Sequence, residues 1–149
     1  MSVGEICNRE VVIAHRNTDI VGVAKLMREY HVGDIVIVDT KDDRPVPVGI
    51  ITDRDIVVEL IAREVNPESV TAGDMMSYEL VIARENDGIW DTLERMRVNG
   101  IRRMPVVNEN GDLEGILTVD DLLGLFSEEL ISLAKVTIRQ QTHEKETRD

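Results

Sequence analysis

The sequence predicts an α+β fold in which one β-α-β-β-α unit is used twice, the two copies packing about a pseudo-twofold axis. Three observations predict it. At an offset of 69 residues, Gly4, Glu10, Val12, Ile13, Ala14, Asn17, Ile20, Met27, Arg28 and Val38 recur as Gly73, Glu79, Val81, Ile82, Ala83, Asn86, Ile89, Met96, Arg97 and Val107. Each copy alternates short β-rich runs with stretches whose apolar residues fall at helical spacing. The chain is 42% hydrophobic but only 3% aromatic, so its core must be aliphatic.

The elements follow in order. "EVVIA" (10–14) and "ELVIA" (79–83) read as first strands. "TDIVGVAKLMREY" (18–30) and "DGIWDTLERMRVN" (87–99) read as helices with Thr18 and Asp87 as N-caps. Their inward stripes are Ile20, Val23, Ala24, Met27 and Tyr30 in one, and Ile89, Leu93 and Met96 in the other, with Trp90 also read as core. "DIVIVD" (34–39) and "RMPVVN" (103–108) are second strands, followed by the turns "KDDRPVP" and "ENGD". "PVGIIT" and "LEGILT" are third strands, and a helix starts after each Thr. The first copy holds three extra loop residues, so beyond them the offset falls to 66. The expected division is repeat 1 over 2–65, a linker over 66–72, repeat 2 over 73–130, and a helix end with a charged, frayed tail over 131–149.

Composition narrows the function. A formal charge of −12 repels phosphate backbones and anionic lipid, and the dearth of aromatics argues against stacking on single strands, so nucleic acid is not an expected partner. The single cysteine, Cys7, cannot form an internal disulfide, and no signal-like or membrane-spanning run is visible, so a cytoplasmic protein is expected. Cys7 aligns with Met76 and reads as a packed thiol. His15, His31 and His143 are too scattered for a zinc site, and no nucleophile elbow, P-loop or dinucleotide fingerprint occurs. Neither a catalytic set nor a catalytic cofactor is expected, and the chain reads as a non-enzyme.

What remains is a doublet. "GIITDRD" (49–55) and "GILTVDD" (115–121) each place a Thr three residues before an Asp where a strand ends and a helix begins. That spacing is the capping box, in which each side chain accepts a hydrogen bond from the other residue's backbone N–H. Capping alone explains it, and a duplication would copy a cap as readily as a site.

The larger frame carries more. The pattern G-h-h-T-x-x-D (h, apolar), preceded by "GDIVIVD" or "GIRRMPVV" in a tandem β-α-β-β-α repeat, resembles the cystathionine-β-synthase-type (CBS) domain, and two in tandem look like a stand-alone Bateman module over residues 2–130. The resemblance implies two clefts between the repeats that bind adenosine-containing ligands: AMP, ADP, ATP, NAD or S-adenosylmethionine. It implies that Asp55 and Asp121 hold ribose hydroxyls and that Thr52 and Thr118 face ribose or phosphate. Ala83 and Ile101 would then partner Thr52 and Asp55, while Ala14 and Val32 partner Thr118 and Asp121.

The copies differ in charge. Arg54 aligns with Asp120, and Arg102 and Arg103 align with Gly33 and Asp34. Under the family's cross-repeat pairing, Arg54 and Arg103 join the Asp55 cleft, whereas Asp34 and Asp120 join the Asp121 cleft. A phosphorylated ligand is then expected only beside Asp55, the other cleft taking a neutral or cationic ligand or none. The function implied is a sensor that signals an adenosyl ligand to an effector protein through a conformational change. The alternative is a structural or interaction protein with empty clefts, its T-x-x-D motifs acting as caps. The wide apolar face of the last helix suggests a homodimer.

Overall fold

A computed structural model describes residues 1–77 and 79–148. They divide into two units, residues 1–117 and residues 118–149. The first unit holds α1 (Val3–Ile6), β1 (Ile13–His15), α2 (Ile20–Tyr30), β2 (Asp34–Lys41), β3 (Arg44–Thr52), α3 (Asp53–Asp55), α4 (Ala72–Met75), β4 (Ala83–Arg84), α5 (Ile89–Asn99), β5 (Arg103–Val107) and β6 (Leu113–Thr118), whose last residue opens the second unit. Helix α3 continues into a π-helical turn over Ile56–Ile61. The second unit is α6 (Val119–Thr147) with its cap.

Two three-stranded sheets result, ordered β1-β2-β3 and β4-β5-β6. In each, the first strand runs parallel to the second, and β2 and β3 are antiparallel. Strand β2 is apolar on both faces because both faces are covered. Ile35 and Ile37 join Ile20, Val23, Ile51 and Leu60 in one cluster, while Val36 and Val38 join Ile116 and Ile50 in another.

The first hairpin closes tightly, with Asp42 and Asp43 both at positive φ, 50° and 61°. That is the backbone demanded by a two-residue turn matched to strand twist. The segment expected as a long loop is thus mostly strand. Pro47 sits beside the register slip at Ile37/Val38, a bulge that relaxes the demand for ladder N–H groups, and Pro45 lies on a strand at the sheet's edge.

Several elements differ from expectation. The first strands start later and are shorter, Ile13–His15 and Ala83–Arg84. The helix N-caps are Asp19 and Gly88. Thr18 and Asp87 instead turn back, accepting from the amides of His15 and Arg84 and closing the strand-to-helix turn. Ala24, Tyr30 and Trp90 are exposed, Trp90 by 71%, and the buried position beside Leu93 is Thr92. Inward aim follows the helical phase set by Ile89 and Met96, which outranks side-chain size. The tail expected to fray is helical through Thr147, with Thr142 and Thr147 donating to the carbonyls of Ile138 and His143; Asp149 lies outside the described residues.

The helices α1 and α4, absent from the sequence reading, are crossed between repeats. The amides of Val3 and Gly4 donate to Asp87 and Glu85, and Asn8 bridges to Ile116, so the start of the chain packs on the second repeat. Ala72 and Gly73 donate to Thr18 and Arg16 of the first. The crossing explains the glycine in each motif. A Cβ at Gly49 would lie 2.6 Å from Met76 Sδ, and one at Gly115 would lie 2.7 Å from Cys7 Sγ and 2.8 Å from the Asn8 carbonyl.

Candidate functional site

The site is built where β3 runs out. Thr52 has extended backbone and caps α3: its hydroxyl accepts from the Asp55 amide at 3.1 Å, and Asp55 Oδ2 accepts from the Thr52 amide at 2.8 Å. The capping box therefore forms, and it leaves most of the Asp55 carboxylate's acceptor capacity unused, since such a group offers about four lone pairs.

The facing wall comes from the second repeat. Helix α5 ends at Gly100 with φ of 63°, a left-handed residue that turns the chain sharply, and the Ile101 amide donates back to Met96. This delivers Ile101, Arg102 and Arg103 opposite Thr52, Arg54 and Asp55, around a cleft of about 480 Å³ that Ile50 and Asp53 complete. That volume suits a small ligand. Five expected residues, Thr52, Arg54, Asp55, Ile101 and Arg103, thus share one cleft. Ala83, expected beside them, is fully buried and does not line this cleft.

Asp34 corrects the sequence reading. It was expected with Asp121 but lies beside the first cleft: it is the ladder partner of Thr52, and its Oδ1 is 2.6 Å from Arg103 Nε. The hairpin is the reason, because closing it at Asp42–Asp43 carries the start of β2 to the end of β3. Burial pushes the Asp34 carboxyl above its ordinary value, the Arg103 charge and hydrogen bond pull it down, and the Asp53 charge pushes it up. Asp53 was missed as well; being the residue after the cap, it looked like a mere helix start.

The remaining expected residues are placed separately. Ala14 is buried on β1, and Val32 lines a hollow of about 580 Å³ with Val12, Leu26 and Tyr30. Thr118 and Asp121 form their own capping box, with the amide bonds at 2.8 and 3.1 Å and the Thr118 hydroxyl also donating to Asp121 at 2.7 Å. Among the described residues no group of three His, Cys, Asp or Glu side chains is placed to hold a metal, and no helix is long and apolar enough to cross a membrane.

The profile of the CBS domain matches residues 3–62 and 72–128. The chain belongs to the CBS domain family. Its two matched segments are the two repeats, so the crossed α1 and α4 each fall at the start of a CBS domain. An uncharacterized protein of Methanopyrus kandleri is 39% identical over 123 residues, 83% of this chain and 61% of that one, so the chain spans less than two thirds of that relative. Among solved structures, a CBS domain pair in complex with 5′-methylthioadenosine and S-adenosyl-L-methionine superimposes with a TM-score of 0.75 at 26% identity, covering 87% of this chain and 98% of that one. A CBS domain protein from Pyrobaculum aerophilum complexed with AMP gives 0.72 at 27% identity, covering 82% and 90%.

Proposed function

We propose that this CBS pair is a regulatory, non-catalytic sensor that binds an adenosine-containing ligand in the cleft headed by Asp55. The observation that carries the reading is the meeting of Thr52 and Asp55 with Ile101 and Arg103 across one small-molecule-sized cleft. The relatives complexed with AMP and with S-adenosyl-L-methionine support the ligand class. Asp55 accepts the two ribose hydroxyls, a charge-assisted contact stronger than a neutral pair. Ile101 and Ile50 flank the base, and Arg54 and Arg103 face the 5′ substituent. Titration calorimetry with AMP on the protein and on Asp55→Ala tests this: affinity is expected to fall at least about tenfold in the variant. An unchanged affinity would remove Asp55 from the site.

A second reading has its own observation. Each T-x-x-D box closes between its own Thr and Asp, so the pairs suffice as caps in a scaffold protein. Thermal denaturation with millimolar AMP, ATP, NAD or S-adenosylmethionine separates the two, because a ligand that binds only the native state must raise the melting temperature.

The sensor acts as a homodimer that signals to an effector protein in the cytoplasm. Leu123, Leu130, Ile131, Leu133, Val136 and Ile138 of α6 are all more than half exposed, an apolar area that a second copy would cover. Light scattering at micromolar concentration is expected to give twice the chain mass.

A further inference from the structure

Arg103 is one of three arginines that line the Asp55 cleft, and it is already engaged. Its Nε is held by Asp34, whose side chain is only 16% exposed against 32% for the arginine. Asp53 adds a second carboxylate: a Cβ placed on Gly33 would lie 3.2 Å from Asp53 Oδ2 and 3.4 Å from Arg103 Nη2, so both groups converge on that glycine. The bare Gly33 leaves them the room. Around the cleft, the charges of Arg54, Arg102 and Arg103 are matched by those of Asp34, Asp53 and Asp55. An arriving phosphate therefore meets no excess of positive charge.

A guanidinium has five donors, so Arg103 can keep Asp34 on Nε and offer its Nη groups to a ligand. The two anions then share one cation at close range, and their repulsion is weakly screened where water is excluded. A nucleoside without a phosphate does not meet this repulsion.

We propose that Asp34 is a specificity-determining residue of the Asp55 cleft: by holding Arg103, it restrains phosphomonoester binding and narrows the preference for AMP over adenosine. This rests on the adenosyl reading above. It differs from a positioning role, in which Asp34 would aim Arg103 and thereby strengthen phosphate binding. The two have opposite signs.

The test is calorimetry with AMP and, separately, adenosine on the full chain, on Asp34→Asn and on Asp34→Glu. For Asp34→Asn, AMP is expected to bind about tenfold more tightly while adenosine changes by less than about twofold, and Asp34→Glu is expected to keep the wild-type ratio. Weaker AMP binding, or an equal change for both ligands, would overturn the role of Asp34 and leave the adenosyl reading standing. Wild-type protein that binds neither ligand would overturn both. Should Asp34→Asn fail to fold, Asp53→Asn replaces it, since that side chain is exposed and lines the same cleft as Arg103. It is expected to shift the AMP-to-adenosine ratio in the same direction by a smaller factor, and an unshifted ratio would overturn the proposal.

Discussion

Thr52–Asp55 and Thr118–Asp121 stand at matching places in the two repeats, and their cap geometry is the same: 2.8 Å from the Thr amide to the carboxylate, 3.1 Å from the Asp amide to the hydroxyl. Their settings differ. The first starts a helix that loosens into a π-helical turn and stops at Ile61, and it faces Ile101 and Arg103 across a cleft. The second starts a single helix of 29 residues, and its threonine hydroxyl is itself spent on the carboxylate. Thr71 and Asp74 repeat the same box before a four-residue helix, and Asp74 lines a separate hollow with Glu59 and Arg63. The motif is therefore a way of starting helices. What sets the first copy apart is the wall opposite it.

The comparison can be broken most strongly at the glycines. Gly115→Ala and Gly49→Ala are each expected to destabilise by about 3 kcal/mol in urea denaturation. The first new methyl meets the Asn8 carbonyl at 2.8 Å, and the second meets Met76 Cβ at 2.7 Å, an atom fixed to the backbone of a buried residue, so neither neighbour can turn aside. A loss well under about 1 kcal/mol at either glycine would mean that its crossed segment yields.

The caps come next. Thr52→Ala and Thr118→Ala are each expected to lose about 1 kcal/mol, but Asp121→Ala is expected to leave AMP affinity within about twofold while Asp55→Ala does not. Equal loss of AMP binding from both Asp variants would erase the asymmetry.

A smaller effect separates the ends of α2 and α5. Both close on a left-handed residue, His31 with φ of 54° and Gly100 with φ of 63°. Only glycine adopts that conformation without strain, so His31→Gly is expected to gain a little under about 1 kcal/mol and Gly100→Ala to lose a similar amount.

The least effect concerns Asp74, whose carboxyl the Thr71 amide and hydroxyl hold below its ordinary value. A depressed acid contributes stability above its unfolded pKa and loses it as the pH falls through the folded one. The stability difference between the wild type and Asp74→Asn should therefore shrink between about pH 6 and about pH 3.

Much of this was legible in the chain. Identical residues at a fixed offset disclosed the duplication, and periodicity placed both long helices and all the second and third strands. It could not place α1 and α4, because four-residue helices carry no periodicity and their anchors lie in the opposite repeat. It placed Thr52, Arg54, Asp55, Ile101 and Arg103 in one cleft only by way of the family resemblance, and it put Asp34 in the wrong one.

The order of elements, the aliphatic core and the positions of the caps were determined by the sequence itself, since each depends on residues near one another along the chain. The charge balance of the cleft was not. Asp34 and Arg103 lie 69 positions apart in equivalent places of the two repeats, and only the packing of one sheet against the other makes them partners. A Coulomb interaction depends on distance in space, and a one-dimensional pattern does not contain that distance until the hairpins have closed.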